Sequence, residues 1–279
     1  MTVLAKPAEM ARRSNMISVA GVELEMFERG RGAPLLYLHG GAGIALDVPF
    51  IDLLARERRI IAPSHPGFGK SSLPDWLDSV DDIAHIYLEL MDRLGLTRTD
   101  IVGLSIGGWI AADLATKVPE RFGRLVLIGP VGVKTGPPDK LDVPDVFAMS
   151  QHKLDQLRFH DPAKNPVDLA SMPEEELHIL ARNRETLALL TWEPYMHNPK
   201  LKHRLHRVNV PTLFVRGASD GIVSAEYLER YAALIPQART ETIAEAGHLP
   251  QVEQPTATAA KVLHFLQAAQ AAETSGARS

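Results

Sequence analysis

The chain has 279 residues, of which 45% are hydrophobic and 23% charged, so it is globular and long enough to bury a large core. Its net charge of -4 at pH 7 gives no reason to expect a nucleic-acid partner, and the lack of cysteine excludes disulfides and thiolate metal sites. No apolar run approaches the roughly 20 residues that span a bilayer, and the N-terminal segment lacks the apolar core of a signal peptide. We therefore expect a cytoplasmic protein with no membrane span.

The first half of the chain alternates predicted strands and helices. Residues 17–28 alternate apolar and polar side chains around Gly21, which predicts an antiparallel hairpin. Continuous apolar runs predict buried strands, and apolar residues at helical spacing predict the helices between them. The strands fall at 34–39, 59–62, 99–104 and 124–129, and the helices at 47–56, 80–94 and 106–118. This alternation predicts a mainly parallel sheet that is covered by helices on both faces.

The character of the sequence changes at Val131. Residues 131–206, called the cap segment below, are rich in proline, histidine, methionine and charge, and contain no strand-like run. The sequence from Ser171 to Glu174 has the pattern of a capping box and predicts the start of a helix. Two further helices are predicted near 143–159 and 201–207. The cap segment is therefore predicted to be a helical insertion.

The strand and helix alternation resumes after the cap segment. Strands are predicted at 211–215 and 239–244, and helices at 225–234 and 256–269. The predicted core is therefore discontinuous. It consists of residues 15–130 and 207–271, with mobile termini at 1–14 and 272–279.

Ser105 stands between a predicted strand and a predicted helix, in the pattern Gly103-Leu-Ser105-Ile-Gly107, called the elbow below. A strand that turns directly into a helix crowds its own backbone, and glycine lets the neighbouring chain pass closely. The serine hydroxyl would then stand above the sheet at the positive end of the helix. A glycine-rich turn that merely contains a serine is the alternative, but the flanking elements favour a nucleophile.

A serine hydroxyl is a weak nucleophile and needs a base to take its proton. His248 follows the last predicted strand and would lie at the same sheet edge as Ser105. Imidazole titrates near neutrality and suits this role. Asp220 follows the preceding strand and could fix the tautomer of the base. A surface-loop histidine and a turn aspartate are the alternative readings.

The order of these residues along the chain resembles that of the α/β-hydrolase family. The resemblance implies a mainly parallel eight-stranded sheet with helices on both faces and an inserted helical cap that acts as a lid. It also implies a triad of Ser105, His248 and Asp220. The N–H groups of Ile106 and of Gly41, or of Ala42 in its place, would form the oxyanion hole. No organic cofactor and no metal is expected.

The family has a second position for the acid, after the strand that ends at Gly129. Residues 129–134 contain no carboxylate, which supports Asp220.

Three residues of the cap segment are predicted to contact a small-molecule substrate: Trp192, Tyr195 and Met196. Packing within the cap segment is the alternative reading for these side chains. His203 and His206 lie one helical turn apart, but the lysine and arginines around them favour a solvated basic surface over a metal site.

Several activities of this fold can be weighed from the sequence. Haloalkane dehalogenases and epoxide hydrolases place an aspartate where this chain has Ser105, which argues against both. We therefore expect a serine hydrolase that cleaves a small, fairly apolar ester or related acyl compound. The sequence contains no signal for oligomeric state, and a homodimer is compatible with it.

Hydrolases that cleave carbon–carbon bonds in ring-cleavage products are the main alternative. They often carry a Ser-Met-Gly-Gly elbow and an aromatic residue after the histidine, whereas this chain has Ser105-Ile-Gly-Gly and Leu249. Their acidic substrates would need a cationic clamp, for which Arg182, Arg184 and Arg216 are candidates. A small-ligand-binding receptor on the same fold is a third reading.

Overall fold

The computed structural model describes residues 14–164 and 169–267; most of both predicted mobile termini lies outside these ranges. Ser14, which we assigned to the mobile N-terminus, is instead the first residue of a strand. Eight strands form one sheet: β1 (Ser14–Val19), β2 (Val22–Arg29), β3 (Pro34–Leu38), β4 (Arg59–Pro63), β5 (Thr99–Leu104), β6 (Phe122–Ile128), β7 (Thr212–Gly217) and β8 (Ala238–Ile243).

The strand order is β1-β2-β4-β3-β5-β6-β7-β8. The hairpin β1–β2 is antiparallel and pairs antiparallel with β4, while all pairings from β4 through β8 are parallel. The predicted eight-stranded, mainly parallel α/β sheet is thus confirmed. Because β3 and β5 to β8 run in the same direction, the loops that follow them meet at one edge of the sheet, where ligands bind in open α/β folds.

Helices cover both faces of the sheet. The α-helices are α1 (Val48–Leu54), α2 (Val80–Arg93), α3 (Ile106–Lys117), α4 (Gln151–Arg158), α5 (Glu174–Thr191), α6 (Ala225–Ala232), α7 (Pro250–Glu253) and α8 (Pro255–Gln267). Helices α2, α3 and α6 share one apolar cluster, and α1 and α8 share the other. Strand residues contribute alternately to the two clusters, as in Leu36 and Tyr37 of β3. Among the described residues, no helix has the length and apolar character needed to cross a membrane.

The described part of the cap segment contains two α-helices and no strand, but its local boundaries differ from those predicted. The helix expected at 143–159 begins only at Gln151, because Asp145 Oδ1 accepts the N–H groups of Phe147 and Ala148 and closes a turn there. The helix expected at 201–207 consists of two 3₁₀ turns. The predicted helix start is confirmed, since α5 begins at Glu174, but its N-cap residue is Pro173 and not Ser171.

A buried carboxyl group connects two loops at the functional edge of the sheet. Asp47 ends a 3₁₀ turn that follows β3, and its Oδ1 accepts a hydrogen bond from Gln251 Nε2 of α7 at 3.0 Å. Both side chains are buried. Burial raises the pKa of Asp47 to about 7, and the hydrogen bond from Gln251 lowers it only in part. The carboxyl therefore stays protonated in the folded protein over a pH range in which it ionises in the unfolded chain.

We predict that Asp47 makes the protein less stable as the pH rises from about 4 to about 7. The native state keeps a proton that the unfolded state releases in this window, so stability falls with pH, by roughly 4 kcal/mol for this one group. Replacement by asparagine (Asp47→Asn) removes that component. Urea unfolding between about pH 4 and pH 7 measures the pH dependence of the free energy of unfolding. Asp139→Asn, at an exposed position, is the control. Parallel pH profiles of wild type and Asp47→Asn would contradict the prediction.

Candidate active site

Ser105 joins β5 to α3 in a backbone conformation that few residues adopt, with φ 50° and ψ -112°. Its N–H donates to Ile128 O of β6 at 2.9 Å, and its carbonyl accepts from Trp109 N of α3 at 3.1 Å, so β6 and α3 hold it in place. The elbow glycines leave no space for a side chain. A β-carbon on Gly107 would lie 2.2 Å from Leu38 O, and one on Gly103 would lie 2.4 Å from Gly107 O.

Asp220 and His248 form a hydrogen-bonded pair. His248 Nδ1 lies 3.0 Å from Asp220 Oδ2, and both side chains are buried. The other oxygen of Asp220 accepts the N–H groups of Ile222 and Val223 at 2.9 and 2.8 Å. These bonds fix the carboxylate, which in turn favours the tautomer with the proton on Nδ1. The Nε2 atom of His248 is then left as the basic nitrogen.

Gly129, directly after β6, lies beside the pair of Asp220 and His248 and at the end of the strand next to the one that leads into the elbow. A β-carbon on Gly129 would lie 3.1 Å from His248 Nδ1, and β6 is the neighbour of β5, which ends directly before Ser105. The three predicted residues are therefore brought to one sheet edge. Among the described residues the Ser105 hydroxyl makes no hydrogen bond to His248. Such contacts are often long without substrate and shorten when it binds.

The predicted oxyanion donors also lie at this edge. Residues 40–43 form a turn closed by a 3.0 Å bond from Gly43 N to Gly40 O, and this segment is called the glycine turn below. A β-carbon on Gly40 would be 3.7 Å from Ser105 Cβ, so the turn passes close to the serine. Within the described residues, the N–H of Gly41 donates to no protein acceptor. Ile106 is the first residue of α3, where an N–H has no intrahelical acceptor.

The three cap residues that we predicted to contact substrate occupy different surroundings. Trp192 is 54% exposed, and its ring contacts Phe147 and Tyr195. The hydroxyl of Tyr195 is committed to the backbone, since it donates to Pro144 O and accepts from Val146 N. Met196 is buried, and its carbonyl accepts from Gly132 N at 3.0 Å. Their contact with a substrate stays a prediction.

Two buried histidines near the site form a structural pair. His39 Nε2 accepts the N–H of His65 at 2.9 Å, and His65 Nε2 lies 2.8 Å from His39 O. Burial lowers the pKa of His39 to about 4 and lowers that of His65 as well. Both rings therefore stay neutral at neutral pH, where their hydrogen bonds hold the chain after β3 against the chain after β4.

Backbone contacts from the cap segment, which the sequence did not predict, support the loops that carry Asp220 and His248. The carbonyls of Leu157 and Arg158, at the end of α4, accept the N–H groups of Gly221 at 2.9 Å and His248 at 2.7 Å. The carboxylate of Glu253 also binds this region: it accepts Gly247 N at 2.6 Å, His160 N at 2.9 and 3.1 Å, and Asp161 N at 3.1 Å. No sequence signal marks these contacts, because each has a backbone N–H as its donor, a group that every residue except proline carries.

The chain belongs to the alpha/beta hydrolase family, whose model matches residues 35–261. It is therefore a hydrolase, and the resemblance drawn from the sequence is confirmed. The 2-hydroxymuconate semialdehyde hydrolase of Pseudomonas sp. (strain CF600) is 29% identical, over an alignment that covers 93% of this chain and 95% of that protein.

Two solved structures illustrate how widely this fold is shared. A mutant meta-cleavage product hydrolase from Pseudomonas fluorescens IP01, complexed with acetates, has a TM-score of 0.74 at 24% identity and covers 93% of this chain and 99% of its own. A thermophilic esterase from Thermogutta terrifontis also has a TM-score of 0.74 at 24% identity, covering 91% of this chain and 98% of its own. These likenesses concern the fold alone.

We predict that Gly107→Ala destabilises the protein by about 2–4 kcal/mol, because the added methyl group would overlap backbone carbonyls that cannot move away independently. Gly40→Ala is the matched control at the same edge, since its nearest neighbour would be 3.7 Å away, and we expect a change within about 0.5 kcal/mol. Denaturant unfolding of the two variants measures the difference. Equal stabilities would contradict the packing argument.

Proposed function

We propose that this hydrolase cleaves small, fairly apolar esters or related acyl compounds through Ser105, His248 and Asp220. The observation that carries the proposal is the buried hydrogen bond between His248 and Asp220 at the sheet edge where Ser105 is held in its strained conformation. This arrangement provides a nucleophile, a base with a fixed tautomer and an acid that stabilises the imidazolium.

The reaction follows from these positions. Ser105 Oγ attacks the carbonyl carbon while His248 Nε2 takes its proton, and the N–H groups of Ile106 and Gly41 hold the developing oxyanion. His248 then protonates the leaving alcohol, and the acyl group stays on Ser105. A water molecule, deprotonated by His248, attacks the acyl-enzyme. His248 returns that proton to Ser105 Oγ as the bond between Oγ and the acyl carbon breaks, and the acid is released. These steps use only groups of this chain and water.

The arginines considered for an anionic substrate are engaged elsewhere. Arg182 donates to the carbonyls of Gly69 at 3.0 Å and Ser71 at 2.6 Å. Arg216 donates to the backbone of its own loop, and Arg184 donates to Val146 O at 3.4 Å. These bonds hold the three guanidinium groups at backbone carbonyls, and a substrate carboxylate that met none of them would be costly to bury. This favours an uncharged substrate.

Carbon–carbon bond hydrolysis is the second candidate, and the relatives favour it. Their names describe hydrolases of 2-hydroxymuconate semialdehyde and of 2-hydroxy-6-oxo-2,4-heptadienoate, each 29% identical to this chain. In this reading the same three residues would act on a vinylogous diketone acid. The two candidates differ in whether the site must bind a substrate carboxylate.

We expect an organophosphonate that traps activated serines to label wild type at Ser105 and to leave Ser105→Ala unlabelled. The same substitution should lower kcat for p-nitrophenyl esters by at least about 10³-fold, since only oxyanion binding and positioning remain. Mass spectrometry of labelled peptides identifies the site, and thermal unfolding shows that the variant is folded. An unlabelled, folded wild type without turnover would favour the receptor reading.

We further expect kcat/KM for short, uncharged esters to exceed that for a ring-cleavage-type dienoate keto acid by at least about 10²-fold, because the acid would leave a carboxylate unpaired. Parallel assays of both substrate classes with wild type and Ser105→Ala measure this ratio. A ratio reversed in favour of the keto acid, with turnover lost in Ser105→Ala, would establish the second candidate.

A further inference from the structure

Helix α5 of the cap segment contacts the glycine turn directly. A β-carbon on Gly41 would lie 2.6 Å from Leu187 Cδ2, and one on Gly43 would lie 2.6 Å from Asn183 Nδ2. The turn is thus enclosed between α5 on one side and Ser105 on the other.

Asn183 makes the polar contact in this packing. Its Nδ2 donates to Ala42 O at 3.1 Å, and its Oδ1 accepts the N–H of Gly69 at 2.9 Å. The side chain is only 2% exposed. The two bonds require opposite ends of the amide, so the side chain has one acceptable orientation. The Ala42 carbonyl lies in the peptide group between Ala42 and Gly43, two peptide groups after the one that carries the Gly41 N–H. Both belong to the same four-residue turn, closed by the bond from Gly43 N to Gly40 O, so a shift of one end displaces the other.

We propose that Asn183 is a positioning residue for the oxyanion hole, acting through its hydrogen bond to the carbonyl of Ala42. The inference rests on the proposed function, because it assumes that Gly41 holds an oxyanion formed at Ser105. Asn183 touches neither substrate nor reacting atoms; it fixes the turn whose N–H does. Oxyanion donors act through preorganised geometry, so a small displacement is enough to reduce their effect.

The chain offers a matched control on the same helix. Thr186 lies nearly one turn further along α5, is 3% exposed, and donates to Gly67 O at 2.9 Å. Thr186→Val therefore removes a buried side-chain bond between α5 and a core loop without touching the glycine turn. Asn183→Leu removes the bonds to Ala42 and to Gly69 at similar side-chain volume.

The experiment measures kcat per organophosphonate-labelled site, which corrects for any unfolded fraction. We expect Asn183→Leu to lower this kcat by about 10²-fold, similar to the loss of one oxyanion donor, with a smaller change in KM. A trifluoromethyl ketone forms an adduct with Ser105 that carries an oxyanion. Its inhibition constant should rise by about the factor by which kcat/KM falls. For Thr186→Val, kcat per labelled site and the inhibition constant of the ketone should both stay within about twofold of the wild-type values, whatever the Tm of this variant.

Asn183→Asp adds a readout that a merely structural role would not produce. A carboxylic acid can donate to Ala42 O and accept from Gly69 N, whereas a carboxylate can only accept. The ratio of its kcat per labelled site to that of wild type should therefore approach one at low pH and fall as the pH rises. This variant also keeps the acceptor for Gly69 at every pH.

The outcomes separate the inference from the proposed function. Wild type without Ser105-dependent turnover would overturn both. Normal wild-type turnover, with kcat and ketone affinity of Asn183→Leu equal to those of Thr186→Val, would overturn the inference alone and leave the proposed function in place.

Discussion

Backbone packing without space for a β-carbon determines where Ser105 stands. Gly107 passes so close to the end of β3, and Gly103 so close to the first turn of α3, that only glycine fits at either position. The serine between them is held at a positive φ by bonds to β6 and to the first turn of α3. Strain of this kind persists only where the surroundings over-determine the conformation. The close approach of β3, β5 and α3 supplies that constraint, and the same approach brings the glycine turn beside the serine.

The parallel sheet then gathers the remaining groups at the same edge. Gly129 follows β6, Asp220 follows β7 and His248 follows β8, and the strands pair in that order beside β5. A residue directly after each strand is therefore near the residue after the next one. Gly129 has no side chain to separate the edge of β6 from His248, since a β-carbon there would lie 3.1 Å from the imidazole. The site follows from strand order together with small residues at close approaches.

These features explain how much could be predicted from sequence. The eight strands, the elbow and the pairing of Asp220 with His248 are encoded locally, by apolar runs, a glycine pattern and positions after strands. The contacts of Asn183 and Glu253 are not encoded in this way, because a polar side chain within a helix carries no signal for the loop that it will meet. The same limit applies at Asp145, where a side-chain turn replaces the first half of a predicted helix.

The contacts of the cap segment bear on the lid role that the resemblance implies for it. Its α4 end holds the loops of Asp220 and His248 through the carbonyls of Leu157 and Arg158. Its α5 holds the glycine turn through Asn183 and the loop after β4 through Arg182 and Thr186. If either helix moved away as a rigid unit, it would break buried hydrogen bonds and leave their partners unsatisfied, at about 1–3 kcal/mol each. A lid motion that lifts both helices would therefore break the hydrogen bonds that hold the loop of His248 and the glycine turn. These helices are therefore better understood as part of the site than as a cover that opens over it.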